Sequence, residues 1–375
     1  MKNSSNKIII IMFIVFLLSV NILNIVIPDK EFSELENRVL SQIPKFQLNK
    51  LLSGQFTNKF EEYYVDQFSY REFWVGFKAK VEKLLNKTEN NGIYFGENGY
   101  LFEDYESPGN KIKDNTEIIN EFSGKHPDIA TYFLLVPNSI KIYEEKLPLF
   151  ASPYDQLDSI KVMKDKLNKS VEFIDVYETL MKNKDEYIYF KTDHHWTMRG
   201  AYYGYTALAK ELGLNYYKMD SFNSRIVSKN FLGTYYSKAQ DWSISSDSIE
   251  VFYPKFDIQY EVSYKDTNKS TNSLYESSHL EEKDKYSYFL DGNHALITIN
   301  TSIKNGKKIA IFKDSYSHSF IPFLVNHYEE IHVIDLRYYN LSINDYLEKN
   351  NIKEVLFLYN VSTFSKDNNI RKINY

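Results

Sequence analysis

The sequence predicts an α/β fold with a parallel, three-layered sheet, preceded by one apolar helix. Three observations carry this reading. Apolar runs of strand length alternate with helix-compatible segments over residues 112–212 and 295–359. A twenty-residue stretch near the N-terminus is apolar and uncharged. Polar residues with chemical potential follow directly on the ends of the apolar runs. Parallel strands need a long crossover, and a helix between successive strands provides it.

The chain has 375 residues, 43% hydrophobic and 25% charged, which suits a folded protein with a sizeable core. Its net charge of -5 gives no reason to expect a nucleic-acid partner. The absence of cysteine excludes disulfides, a cysteine nucleophile and thiolate metal sites.

From Ile8 to Ile27 only Ser19, Asn21 and Asn24 are polar. Twenty helical residues at about 1.5 Å each cover the roughly 30 Å hydrocarbon core of a bilayer. Lys2 and Lys7 precede the run, so the N-terminus is expected inside and the remainder outside. No Ala-x-Ala-like site lies near Val20 to Pro28, so an uncleaved single-pass anchor is expected rather than a signal peptide. Residues 1–30 are thus read as a cytoplasmic tip and anchor, 31–90 as a stalk and helical lead-in, and 91–375 as the α/β domain. In the lead-in, Phe56, Phe60, Tyr63, Tyr64, Phe68, Phe73, Trp74, Phe77, Val81 and Leu84 recur at helical spacing. They predict two amphipathic helices, broken near Asp66 to Tyr70, with the aromatic rings in a core. Asn98-Gly99 supplies the positive φ values for a hairpin turn within Ile93–Phe102.

In the α/β part, helices are expected over Ile112–Ser123, Gln156–Asn168, Arg199–Leu212 and Ile343–Asn350. Strands are expected over Thr131–Val136, Val171–Val176, Tyr187–Phe190, Ala295–Asn300, Lys308–Phe312, Ile331–Asp335 and Glu354–Tyr359. Residues 220–287 are polar and Ser-rich with short alternating pieces, and read as a β-rich insertion.

Ser315 lies where the Ile309–Phe312 run turns into a second apolar, helix-compatible run from Phe320. Such a turn exposes a hydroxyl above free helix N–H groups. It suits a nucleophilic serine and an ordinary helix cap alike. Asp193-His194-His195 places a carboxylate beside two imidazoles. In an extended chain Asp193 and His195 share one side and His194 faces the other. Three readings stay open for them: a structural pair, an Asp/His pair serving a serine, and a metal site completed by a distant ligand. His318, three residues after Ser315, is a rival base. Asn138, Arg337 and Asn360 also follow predicted strands. Strand C-termini in an open α/β sheet share one edge, where ligands bind, so these residues are expected to converge.

Thr192-Asp193-His194-His195-Trp196-Thr197, followed by Gly200-Ala201, resembles the Asp-x-His-Trp motif of alginate O-acetyltransferase-like proteins. Lys313-Asp314-Ser315-Tyr316 resembles their Gly-Asp-Ser block, with Lys313 standing where glycine is usual. The closer resemblance is to the DHHW family of bacterial cell-surface proteins. Phe32-Ser33-Glu34-Leu35-Glu36-Asn37-Arg38, Val136-Pro137-Asn138-Ser139, Leu290-Asp291-Gly292-Asn293 and Asp335-Leu336-Arg337-Tyr338 support it. The resemblance covers most of the chain after the anchor except about 220–285.

This resemblance implies an SGNH-hydrolase-like α/β/α fold with Ser315 as nucleophile, His195 as base and Asp193 as orienting acid. The resemblance also implies acetyl transfer to an extracellular or cell-wall polysaccharide, with acetyl groups supplied through a membrane-bound O-acyltransferase. Asn138, Arg337 and Tyr316 are the candidates for substrate or oxyanion contacts, and neither a metal nor another cofactor is expected. A carbohydrate O-acetylesterase, or a non-catalytic glycan-binding or assembly protein with a decayed triad, are the alternatives.

Overall fold

The computed structural model describes residues 2–33, 36 and 38–375, with side chains from residue 6 onward except in positions 34, 35 and 37. Within the Phe32–Arg38 motif, Glu34, Leu35 and Asn37 therefore lie outside the described residues. The chain divides into two compact units, residues 1–87 with 240–243, and residues 88–239 with 244–375.

The first unit contains helices α1 (Lys2–Val26), α2 (Gln55–Asp66) and α3 (Arg71–Leu84). The Asn6–Val26 stretch of α1 is long and apolar enough to cross a membrane, and none of it is buried. The break between α2 and α3 falls at the expected place. The expectation that their aromatic rings form a core is overturned: Phe60, Phe73, Trp74 and Phe77 are all exposed.

The second unit is built on an eight-stranded sheet. Its long helices are α4 (Lys111–Lys125), α5 (Gln156–Lys166), α6 (Met198–Glu211), α7 (Ser317–Leu324) and α8 (Ile343–Lys349). Its longer strands are β1 (Ala130–Val136), β2 (Val171–Ile174), β3 (Phe222–Phe231), β4 (Asp247–Pro254), β5 (Tyr260–Tyr264), β6 (Lys269–Thr271), β7 (Leu296–Thr301), β8 (Lys308–Lys313), β9 (Glu330–Ile334) and β10 (Glu354–Asn360). The sheet order is β6-β5-β7-β9-β8-β10-β1-β2. The five strands from β9 to β2 are parallel, while β7, β5 and β6 extend one edge antiparallel. Residues 220–287 thus divide their strands. β3 and β4 pair with each other, whereas β5 and β6 join the main sheet.

The apolar runs of the parallel strands are buried on both faces, which is why they read as continuous rather than alternating. Ile309, Ile311, Val333 and Leu358 face a layer containing α6 and α7. Ala310, Phe312, Phe133 and Phe357 face α4, α5 and α8. The parallel register brings the ends of β1, β8, β9 and β10 to a common edge, with Phe312 beside Ile334 and Phe357, and Asn360 beside Val136.

One expected strand is absent. Tyr187–Phe190 makes only an isolated bridge, Tyr189 with Trp196, and the chain from Lys191 to His195 is a run of bends. This segment is pinned by side chains instead. Buried Asp247 on β4 accepts the Lys191 and Thr192 N–H groups at 3.0 and 2.8 Å, and the Thr192 hydroxyl at 2.6 Å. Thr197 then caps α6, accepting the Gly200 N–H at 3.2 Å.

Gly200 lets the start of α6 lie against the 187–190 segment, since a Cβ there would stand 2.2 Å from the Ile188 carbonyl oxygen. Gly124, on α4, meets nothing within 4 Å. Gly200→Ala is expected to destabilise the fold by about 1–3 kcal/mol through overpacking. Gly124→Ala is expected to leave stability unchanged or raise it by up to about 1 kcal/mol. Denaturant midpoints of the two variants check this, and equal midpoints would refute the close approach.

Candidate active site

Ser315 follows β8 at the shared strand edge and is partly exposed. Its Oγ lies 2.7 Å from His195 Nε2, and His195 Nδ1 lies 2.5 Å from Asp193 Oδ1. The bends, rather than a strand end, bring Asp193 and His195 here. Their side chains meet as i, i+2 spacing predicts. His194 does not face the opposite side. Its ring centroid lies 3.8 Å from that of His195, and it is His195 that bonds Ser315.

Each member of this chain is held from several directions. Asp193 is buried; its Oδ1 also accepts the His195 N–H at 3.0 Å, and its Oδ2 accepts the Thr234 N–H at 2.8 Å. Gly233 permits that approach, because a Cβ there would stand 2.3 Å from Asp193 Cβ. Burial alone would raise the Asp193 pKa, but the adjoining His194 and His195 outweigh it and hold the carboxyl well below its usual range. The Tyr286 ring lies flat on the His195 imidazole, 3.6 Å between centroids and 9° between planes. Its hydroxyl donates to the Ser315 carbonyl at 3.2 Å. Burial pushes His195 down to about 4, with His194 adding to the shift and Asp193 opposing it. The imidazole is therefore neutral near pH 7, with Nδ1–H directed at Asp193 and the Nε2 lone pair at Ser315. Trp196 is fully buried. Its indole N–H donates to the Tyr316 carbonyl at 2.9 Å, and its ring packs against Gly204.

The residues around the serine form a dense polar lattice. Asp314 Oδ1 accepts the Tyr316 N–H at 2.9 Å, and Oδ2 accepts the Asn360 backbone and side-chain N–H groups, both at 2.7 Å. Burial raises the Asp314 pKa to about 6. Lys313 and Asp335, neighbours on β8 and at the end of β9, form an ion pair of 2.8 Å with both side chains fully buried. Burial lowers the Lys313 pKa, and Asp335 opposes the shift. Asn293 Oδ1 accepts from Lys313 Nζ at 3.2 Å and from Arg337 Nη2 at 2.9 Å. Leu290, Asp291 and Gly292, immediately before it, have φ of 57°, 57° and 77°. The two non-glycine residues store roughly 1–3 kcal/mol of strain each.

The oxyanion expectations fare unevenly. Asn138 lines the strand edge and spends its amide N–H groups on the Tyr316 hydroxyl and Asn360 Oδ1, at 3.0 and 3.1 Å. Tyr316 is buried; its N–H is taken by Asp314 and its hydroxyl donates to the His194 carbonyl. Arg337 is clamped by Asp335 through Nε and Nη2, and it lines a cleft. His318 is removed as a rival base because its Nε2 accepts from Lys313 Nζ at 2.8 Å. Among the described residues the Ser315 backbone N–H meets no protein acceptor, and it remains available to a developing oxyanion. A cleft of about 390 Å³ adjoins this edge, lined by Asn138, His194, Asp314, Arg337, Asn360 and Lys366, among others.

Asp193, His194 and His195 also bring ligand-type atoms within 4.8 Å of one another. His195 spends both ring nitrogens on Asp193 and Ser315, so the described geometry is that of a hydrogen-bonded chain. Sequence reasoning missed Asp247, Gly233, Thr234 and Tyr286. All four come from the 220–287 segment, whose polar composition carried no signal beyond its retained aromatics.

The chain is similar to several solved structures. A DHHW family protein from Eubacterium siraeum is 26% identical, with a TM-score of 0.67 over 76% of this chain and 96% of its own. Bacillus cereus PatB1, solved with a sulfonyl adduct, is 22% identical, with a TM-score of 0.63 over 75% of this chain and 97% of its own. The O-acetyltransferase domain of Pseudomonas putida AlgJ is a looser likeness, at 13% identity and a TM-score of 0.47 over 74% of this chain and 93% of its own. Comparison with curated proteins finds no match. The family model described as "DHHW protein" matches residues 88–334, the span that carries the Asp-His-His-Trp bends, the Ser315 turn and the first four strands of the parallel set, and the chain belongs to the DHHW family.

Proposed function

We propose that this chain is a membrane-anchored acyltransferase that acetylates a hydroxyl of an extracellular polysaccharide through Ser315. The observation that carries the reading is the chain Asp193–His195–Ser315, with links of 2.5 and 2.7 Å. Ser315 Oγ attacks the acetyl carbonyl of a donor while its proton passes to His195 Nε2. Asp193 fixes the tautomer and stabilises the imidazolium. The Ser315 N–H, with the start of α7 behind it, meets the oxyanion. The leaving group departs with the proton from Nε2, and an acetyl-serine remains. A sugar hydroxyl then gives its proton to Nε2 and attacks the ester, and the departing Ser315 Oγ takes that proton back as the acetylated sugar is released.

Acetyl as the group and polysaccharide as the acceptor rest on the family resemblance. α1 supports anchorage by its length and apolarity. With the second unit outside the cell, acetyl groups must cross the bilayer, which calls for a membrane-bound O-acyltransferase as partner. The esterase reading uses the same acyl-enzyme with water as acceptor; acetate release that no glycan acceptor diverts would favour it. The decayed-triad reading arose from Lys313. Its buried pairing with Asp335 gives that lysine a place that leaves Ser315 and His195 in contact.

A sulfonyl fluoride is a suitable probe, since PatB1 was captured as a sulfonyl adduct. Wild-type protein is expected to be labelled at Ser315 and to turn over an activated acetyl ester. Ser315→Ala is expected to lose labelling and at least about a thousandfold in rate, and Asp193→Asn about ten-thousandfold. A Ser315→Ala variant as active as wild type would end the assignment.

The pH–rate profile tests the base. His195 must be neutral to accept the proton, and burial sets its pKa at about 4. Activity should therefore fall as pH drops through about 4 and stay level from pH 6 to 7. An acidic limb centred near pH 6.5 would show an imidazole not buried in this way.

Lys313→Met tests the ion pair beneath the turn. Removing Lys313 leaves Asp335 with Arg337 alone and is expected to cost about 1–3 kcal/mol, read by chemical denaturation. Unchanged stability would mean that Lys313 and Asp335 are not buried together.

A further inference from the structure

The first unit carries a helix built the wrong way round for water. On α3, Phe73, Trp74, Phe77, Val81 and Leu84 fall within about 100° of arc at helical spacing. They are 49%, 41%, 49%, 37% and 75% exposed. The opposite side of the helix is the packed one, and it presents Gly76 and Ala79. Gly76 lies so close to the Trp242 ring that a Cβ would stand 2.1 Å from Cε2. A helix at a water-facing surface buries its large apolar residues. α3 leaves them exposed beside its lysines, and Phe60 and Tyr64 of α2 are exposed as well. Contiguous apolar surface of this kind marks a contact with something else.

The connections of this unit point to what that is. Asn24, in the last turn of α1, accepts the Ser69 N–H at 2.8 Å and donates to the Tyr64 hydroxyl at 3.2 Å. The Lys30 N–H donates to Gln67 Oε1 at 2.9 Å, and the Tyr63 hydroxyl donates to Asp29 Oδ1 at 3.2 Å. The junction between α2 and α3 is thus stitched to the end of α1 and to the residues directly after it. If α1 spans a bilayer, its last turn lies at the headgroup boundary, and α3 starts from that level. Tryptophan, tyrosine and phenylalanine favour this depth. Exposed Lys78 and Lys80 border the aromatic arc on its two sides, where their long stems can reach lipid phosphates.

We propose that the aromatic face of α3, with Phe60 and Tyr64 of α2, docks into the outer interface of the bilayer that α1 crosses. The occupant is lipid, because the stitching to α1 holds the start of α3 at the membrane exit. The proposal rests on the anchor reading and not on the chemistry of Ser315.

The test uses the full-length chain in phosphatidylcholine–phosphatidylglycerol vesicles containing lipids brominated near the headgroup. The chain has 3 tryptophans, and subtracting the emission of Trp74→Phe isolates Trp74. Trp74 emission is expected to fall about twofold or more with these lipids. In Phe73→Glu/Phe77→Glu the quenching is expected to vanish while the protein still resists carbonate extraction. Trp74 unquenched in a chain that carbonate does not extract overturns the proposal and leaves the face to a protein partner. A chain that washes off overturns the anchor and the docking together. Sulfonyl fluoride labelling of Ser315 in the same vesicles reports the triad separately, and its failure bears on that reading alone.

Discussion

The 2.7 Å contact between His195 and Ser315 joins two parts of the second unit that differ in kind. Ser315 ends a strand buried on both faces, so the sheet fixes its position. His195 sits on a run of bends with no ladder of its own, so it has to be placed by side chains. Asp247 holds the start of that run, Trp196 and Thr197 hold its end, and Asp193 is fixed by the Thr234 N–H. A hydrogen bond weakens steeply with misalignment. The surrounding hydrogen bonds hold the two segments that carry these atoms.

This division explains what the sequence made legible. Strand positions followed from continuous apolar runs such as Ile309–Phe312 and Val355–Leu358, because burial on both faces leaves a plain signal. Parallel register then placed Ser315, Asn138, Asp335 and Asn360 at one edge. The Asp193–His195 contact was legible from i, i+2 spacing, although the expected strand leading to it is replaced by bends. Tyr286 and Asp247 were not legible. A ring stacked on an imidazole and a carboxylate capping backbone N–H groups are contacts across long separations with no periodicity. Asn138 shows the converse. Its place at a strand end was correct, but placement alone did not reveal that its amide was already spent on Tyr316 and Asn360.

The lead-in helices show a second limit of pattern reading. Helical spacing identifies an apolar face but does not say what covers it. Phe73, Trp74 and Phe77 read as core because core is the usual destination of such a stripe. In the structure the packed side belongs to Gly76 and Ala79, residues too small to register in an amphipathic pattern. A glycine facing Trp242 at close range was the informative residue.

Tyr286 covers one face of the imidazole, and the His194 ring closes on the other. Asp193 takes Nδ1 and Ser315 takes Nε2. The imidazole thus has both faces and both nitrogens against protein groups, and its ring cannot tilt unless a neighbour moves with it.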